Sequence, residues 1–571
     1  MCQLIKVYQS KPFAEVNADK IALKDILNLY IEPFDTLIHP FDYKDTIIKG
    51  CRGSGKTMFL RANHAYYLYT LVPSLIDNSE LVLPIYIHMN DFQHLKDAGK
   101  IYNKFIVKAI EELISISKRL QDAEQLAEIH QGMSTFLPFQ FPNFKSTQST
   151  FYEMLKLNSD EYKETISRKL LGKAGLKNDI FEASIEYQKE SFLEIQKKPD
   201  PSIADIEKAY KEIFGDREHK ILFLLDEVSS LSKLFFKEGK NNSSFFEILM
   251  NQLRTQSFLK TKIAIYPNTY SDILTESCYG DIVNLQEDVR SKEEYDSFRK
   301  KTILLLDKYI SCSVGEKYEA KNLFFIKENE NQVTDSIEQL IFASNGNIRR
   351  FLKLAEQSMD KAFSSHKGTA KVFVNHVTDA LKRNATELIA PYDDIEKEFL
   401  EQLGSVCKKR GTYIFQCPNQ APLLSKFVNR SSEHNVININ RPGSGKRGTI
   451  YSFDYAYCVF RDIPTHCLKD CDQIDVNRSL ISGKWISKVT LISQKILKDA
   501  TESAKKEGVV FHIQKDSGVI KDVLGTPHYW KKCFMVDQNE FSTIEIGTVV
   551  RFYPLQLDDS LLATFIEVNK T

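Results

Sequence analysis

The chain has no excess of charge, no long apolar run, no CxxC pair, no internal repeat and no low-complexity segment, and each lack removes a class of protein. Across 571 residues, 76 Lys and Arg balance 76 Asp and Glu, so bulk charge cannot hold nucleic acid and any such contact must be local. No apolar run approaches the roughly 18 residues of a membrane span; the strongest short one is Ile221 to Leu225. The opening MCQLIKVYQSKPFAEVNADK has no apolar core of signal-peptide length and soon turns acidic, which predicts a cytoplasmic protein without membrane contact. The ten Cys are scattered, so no disulfide framework is expected. His466, Cys467 and Cys471 lie close together but lack a fourth ligand at sensible spacing, which favours ordinary packing over zinc. With 42% hydrophobic residues, 23 Gly and 17 Pro, collagen-like and disordered classes fall away, and the length implies several domains.

What is present alternates. IALKDILNLYIEP has apolar residues at helical spacing and stops at Pro33. Thr46 to Lys49 reads as a short buried strand, followed by a Gly-rich turn and the helix TMFLRANHAYYLYTLV. LVLPIYIHM (Leu81 to Met89) reads as a second strand, whose central Pro84 suggests an edge or a strand start. From Asn103 to about Lys220 the text is almost all helical, interrupted by FLPFQFPNF, which reads as a loop pinned by its aromatics or as a docking surface. Strand signals return at KILFLLDE, KTKIAIYPN and DIVNL, so a doubly wound, mainly parallel sheet is expected. Helices dominate from Ser291 to about Leu388.

Gly50, Cys51, Arg52, Gly53, Ser54, Gly55, Lys56 and Thr57 fit GxxxxGK[ST] at every fixed position, between an expected strand and an expected helix. Small residues let successive backbone N–H groups wrap a triphosphate, and the helix N-terminus adds partial positive charge. Lys56 would bridge the β- and γ-phosphates, and the Thr57 hydroxyl would take one Mg²⁺ position. The later Gly443-Ser444-Gly445-Lys446 fails the pattern, because Asn440 stands where the first Gly is needed and Arg447 follows the Lys. Five apolar residues ending in Asp226 and Glu227 supply a matching acidic site. Asp226 would hold Mg²⁺ through water, and Glu227 would polarise an attacking water.

These residues resemble the AAA+ superfamily of ATPases, and more narrowly its origin-recognition-like clade, versions of which occur in bacterial conflict and phage-defence systems. The resemblance implies ATP and Mg²⁺ as ligands. It makes Asn268, in KIAIYPNTY, the polar residue that reads the γ-phosphate and aligns water. In SNGNIRRFLKLAEQ it makes Arg349 the residue that reaches over the phosphates from a helical lid, with Arg350 adjacent as the fallback. The family commonly carries an arginine finger before the last strand, yet Thr269 to Gly280 contains no Arg. Arg254 and Arg290 are the nearby substitutes, and hydrolysis activated in trans within a homo-oligomeric ring is left open. The long spacing from Lys56 to Asp226 leaves room for a helical insertion, read as a partner- or ligand-sensing element.

Beyond Ala390 the text reads as helix (DDIEKEFLEQLGSVCKKRG), short helix (PLLSKFVNR) and the strands NVININ and TIYSFDYAYCVF, joined by RPGSGKRG. This order suggests a winged helix, with Lys426 and Arg430 on the short helix and Arg441, Lys446 and Arg447 at the wing tip as phosphate contacts for DNA. The tail resembles a cold-shock-like OB fold, with strands around Gly508, Ser517, Lys532, Glu545 and Leu562. Its usual stacking aromatics are replaced by Ser517 and Val519, leaving Phe534 as the clearest match with Phe511 and Trp530 nearby.

The expected fold is an α/β P-loop AAA+ core with a helical insertion and helical lid, followed by a winged helix and a small all-β barrel. Expected domains are a core over 1–290 with its insertion at about 101–219, a lid over 291–389, a winged helix over 390–464, a helical connector over 465–507 and the barrel over 508–571. The leading functional expectation is an ATP-hydrolysing switch that couples nucleotide state to DNA, RNA or an effector protein, with antiviral defence implied only by the resemblance. The alternative is a nucleotide-stabilised DNA- or protein-binding module with negligible turnover. A small-molecule kinase is disfavoured, because the Asp-Glu pair suits water activation.

Overall fold

The computed structural model describes residues 2–32, 40–77, 81–121, 160–161, 164, 201–214, 219–228, 231, 249–250, 252–253, 255–266, 280–285, 287, 289, 292–326, 335–417, 422–428, 435–443, 448–465, 489–557 and 560–569. Asn268, Arg254, Arg290, Arg430, Lys446, Arg447, FLPFQFPNF and the His466, Cys467 and Cys471 group lie outside them, as does most of the expected insertion. Among the described residues no helix is long and apolar enough to cross a membrane. The chain divides into two compact units. One comprises Met1–Glu287, Asp296–Leu323 and Gly346–Glu356; the other comprises Asp288–Tyr295, Phe324–Asn345 and Gln357–Thr571.

The first unit is built on five parallel strands: β1 (Thr46–Lys49), β2 (Leu81–His88), β3 (His219–Asp226), β4 (Leu259–Ile265) and β5 (Asp281–Asn284). Their order in the sheet is β2-β3-β4-β1-β5, so Pro84, which has no N–H to give a ladder, sits on an edge strand. The strands are short apolar runs because the sheet is buried by helices: Ile221 to Leu225 is fully buried. Helix Lys56–Asp77 follows β1, and helices Ala98–Gln121 and Ile203–Phe214 add an apolar stripe each. Ile101, Phe105, Ala109 and Leu113 from the one, with Ile206, Tyr210 and Ile213 from the other, join β2, β3 and β4 in one core. The chain leaves β1 for the far edge and later returns beside it, so the order reverses at β1. In a sheet of this kind that places a ligand crevice at the carboxyl ends of the strands.

The second unit holds helices Ser336–Ser344, Val374–Ile389 and Asp394–Arg410, a mixed sheet and a barrel. Asp394–Arg410 starts with a capping box of Asp393 and Glu396 and stops at Gly411, whose φ of 69° suits glycine. The sheet has the order β7-β8-β6-β9, from β6 (Ile414–Cys417), β7 (Ile437–Arg441), β8 (Thr449–Phe453) and β9 (Thr490–Leu491). TIYSFDYAYCVF is not one strand. It breaks at Asp454, whose side chain accepts from the Ala456 N–H and opens helix Tyr455–Arg461. PLLSKFVNR forms a 3₁₀ turn at Pro422–Phe427.

The tail closes into a five-stranded barrel of β10 (Lys506–Ile513), β11 (Ser517–Asp522), β12 (Pro527–Lys531), β13 (Val549–Leu557) and β14 (Ser560–Val568), in the order β10-β11-β12-β14-β13. The segment around Lys532 is a 3₁₀ turn, Lys532–Phe534, and the third strand lies just before it. Trp530 on that strand is 1% exposed and forms the barrel core with Val510, Ile520, Val550 and Phe552, so it offers no stacking face. Gly518 makes room for it: a Cβ there would lie 2.7 Å from Trp530 Nε1 and 2.2 Å from the His512 carbonyl.

Candidate functional site

The carboxyl ends of the five strands carry Gly50, His88, Glu227, Tyr266 and Leu285 as the next or last residues. A cleft lies there, entirely within the first unit. Arg52 to Thr57, Glu227, Tyr266 and Arg349 line it, together with apolar Val16, Leu29, Ile31, Leu305, Tyr309 and Leu352. Polar groups on an otherwise apolar wall suit a ligand with a charged tail and a flat apolar body.

The loop owes its shape to its glycines. Gly53 and Gly55 have φ of 85° and 100°, and a Cβ on Gly50 would lie 2.2 Å from Ser54 Oγ. The helix begins at Lys56, and its first backbone bond outside the loop runs from the Phe59 N–H to the Gly55 carbonyl at 2.9 Å. The N–H groups of Lys56, Thr57 and Met58 thus precede the helical ladder, which is the arrangement that receives an anion. Lys56 is 8% exposed, and its Nζ donates to the Gly50 and Cys51 carbonyls at 2.9 Å each. It also stands 4.1 Å from the centre of the Tyr266 ring. Burial pulls the Lys56 ammonium down to about 8, against the opposing pull of the Cys51 thiol and of Glu227 and Asp226.

Asp226 is 1% exposed at the end of β3. Its Oδ2 accepts from the Tyr86 hydroxyl at 2.7 Å and its Oδ1 from the Glu227 N–H at 2.8 Å. Tyr86 therefore fixes the carboxylate, and the carboxylate in turn raises the Tyr86 hydroxyl well above its usual range, after the larger effect of burial. Glu227 has a φ of 52°, a left-handed conformation that turns its side chain off the strand line. Its Oε2 lies 3.5 Å from the Tyr266 hydroxyl. Next to Asp226, His88 Nε2 and Asp19 Oδ1 form an ion pair at 3.7 Å, and this pairing raises His88 and lowers Asp19. Asp19, His88 and Asp226 offer ligand atoms within 4.8 Å of one another.

The residues present fit a magnesium triphosphate. Thr57 and Asp226 are the hard oxygen donors Mg²⁺ takes, and Ser54 Oγ is a buried hydroxyl with no hydrogen-bond partner among the described residues. Arg349, from helix Ile348–His366, lines the cleft, whereas Arg350 is 3% exposed and does not line it. Tyr86, Tyr266 and the apolar wall were missed in the sequence, since no motif spacing marks them.

Among the described residues, the expected nucleic-acid contacts Lys426, Arg441 and Phe534 belong to the second unit. Lys426 Nζ forms an ion pair with Glu396, so its charge is already matched. Arg441 ends β7 and is exposed, while Phe534 is half-buried against the barrel core. The aromatic rings that face outward on the barrel are Phe511 and Tyr529, 57% and 58% exposed, and Lys521 Nζ lies 3.6 Å from the centre of the Phe511 ring.

A glycine-rich loop between β1 and a helix, an acidic pair ending a neighbouring strand and an all-parallel sheet define a P-loop nucleotide-binding core of the α/β class. A family model described as ORC-CDC6-like matches residues 11–238, which is consistent with an AAA+ ATPase core in that part of the chain. No curated protein matches the chain.

Proposed function

We propose that the chain is a cytoplasmic, Mg²⁺-dependent ATPase that works as a switch, coupling its nucleotide state to nucleic acid or an effector protein. The observation that carries this reading is the convergence of Lys56, Glu227 and Arg349 on one cleft within one unit. Mg²⁺, when bound, would neutralise phosphate charge. The chain's own residues do the rest. The loop N–H groups and Lys56 hold the phosphates, and the apolar wall takes the base. Tyr86 keeps the Asp226 carboxylate aimed. Glu227 accepts a proton from the attacking water as its oxygen bonds to the γ-phosphorus and the bond to ADP breaks. Asn268 is the proposed aligner of that water. Arg349 reads the γ-phosphate from the lid helix, so loss of phosphate changes what holds the lid.

For the partner, the helix–strand–turn–hairpin order over 394–453 supports a winged helix. The barrel order, with β12 parallel to β14 at Tyr529 and Leu562, supports an OB fold. Phe511 and Tyr529, flanked by Lys521 and Lys531, favour single-stranded nucleic acid as the ligand of the barrel. Antiviral defence is supported by the resemblance alone.

ATP turnover of the wild type and of Glu227→Gln, with and without single-stranded DNA, tests the switch. The variant is expected to bind ATP normally and to lose at least about a hundredfold in turnover. A wild type that binds ATP yet hydrolyses none under any of these conditions establishes the binding-module alternative instead.

A further inference from the structure

Asn347 precedes the lid helix and does not line the cleft, yet it is tied to the phosphate loop. It is 4% exposed. Its Nδ2 donates to the Arg52 carbonyl at 2.7 Å, and its Oδ1 accepts from the Arg350 N–H at 2.9 Å. One residue thus caps the helix and clasps the loop. Beside it, the Arg349 N–H, in the first turn of the helix, donates to the Gly53 carbonyl at 3.2 Å. The fit is close: a Cβ on Gly53 would lie 2.5 Å from Asn347 Oδ1. Gly346, just before, has a φ of 75° and passes so near Glu287 that a Cβ would lie 2.3 Å from its carbonyl oxygen.

The consequence lies in the peptide plane. In a trans peptide the C=O and the following N–H point in opposite directions. Holding the Arg52 oxygen against Asn347 therefore points the Gly53 N–H the other way. Gly53, with its positive φ, is the residue at which that plane could flip at little cost. A flip would turn a carbonyl oxygen, rather than an N–H, toward the phosphates. We propose that Asn347 is a positioning residue that locks the Arg52–Gly53 peptide in its anion-accepting orientation before nucleotide arrives. The lid helix thereby sets nucleotide affinity through the loop backbone, separately from any contact Arg349 makes with phosphate. This rests on the reading of the loop as a triphosphate site.

The test separates clasp from cap. Asn347→Asp keeps an oxygen for the Arg350 N–H but loses the donor to Arg52, and Asn347→Ser keeps a capping hydroxyl without charge and without the reach. ATP and ADP binding are measured by calorimetry, turnover by phosphate release, and thermal unfolding is followed without nucleotide. Both variants are expected to unfold as the wild type does and to weaken ATP and ADP equally, by about tenfold, with KM rising in step and kcat unchanged. Wild-type affinity in both variants overturns the clasp while leaving the nucleotide site standing. A fall in kcat with KM unchanged also overturns it. A wild type that binds neither nucleotide sinks the clasp together with the functional reading beneath it.

Discussion

In the parallel-sheet unit Lys56 and Lys262 are buried and spend their protons on carbonyl and amide oxygens, whereas the barrel carries Lys506, Lys515 and Lys531 exposed and lays Lys521 across an exposed ring. Lys56, held by fixed partners, lines the cleft proposed for a triphosphate, while Lys262 only ties β4 to Pro40 and Asn63. On the proposed reading, the surface cations beside exposed rings would make a platform that tolerates many bases. The same residue type is thus placed in two unlike settings, and the difference is set by the backbone around it.

The comparison breaks most sharply at Trp530. Trp530→Ala is expected to destabilise the barrel by about 3–5 kcal/mol while leaving ATP affinity as it was. Denaturant unfolding followed beside nucleotide titration checks both halves, and an unchanged unfolding midpoint would show that the ring is not a core anchor. Phe511→Ala and Tyr529→Ala come next. Each is expected to weaken single-stranded DNA by about 1–3 kcal/mol without altering stability, since both rings face outward. Gel shifts at two salt concentrations read this out, and wild-type affinity in the double variant removes the platform.

The last test concerns Lys262. Burial pulls its ammonium from 10.5 down to about 7, while its Nζ donates to the Pro40 carbonyl and to Asn63 Oδ1. Between those two pH values the unfolded chain binds the proton that the folded one releases. Stability of this unit therefore rises with pH from about 7 toward 10.5, and Lys262→Met should flatten the rise. Urea midpoints at pH 7 and pH 9 measure it, and an equal rise in the variant would assign the effect to other groups. Lys56 and Lys308, each lowered to about 8 by burial, act with the same sign.

How legible each region was follows from the same contrast. β1, β3 and β4 could be read because short apolar runs end in residues with chemistry, and burial on both faces leaves no alternation to confuse the period. The tail was harder. Trp530 read as a stacking residue because aromatic content cannot tell the inside of a barrel from its outside, and Tyr529, one position away, points outward. Asp454 was missed as a breaker because TIYSFDYAYCVF is β-branched and aromatic throughout, and one capping carboxylate overrides that propensity. Tyr86 and Tyr266 meet Asp226 and Glu227 only through strand order, which no local pattern records. Asn347 did leave a trace, as an Asn after Gly346 and three residues before Arg350, which is the spacing of a capping side chain.

The barrel is not a bead on a string. Tyr553 and Leu555 of β13 lie in one core with Phe399, Leu403 and Phe415, and Lys505 pairs with both Glu502 and Glu567 at 2.8 and 2.6 Å. Trimming the chain before Lys506 would strip two large side chains from the neighbouring core and leave Lys505 without Glu567. The helices of 394–410 and 455–461 and the barrel are therefore expected to unfold as a single block, so a fragment taken from that end of the protein should run to the last strand.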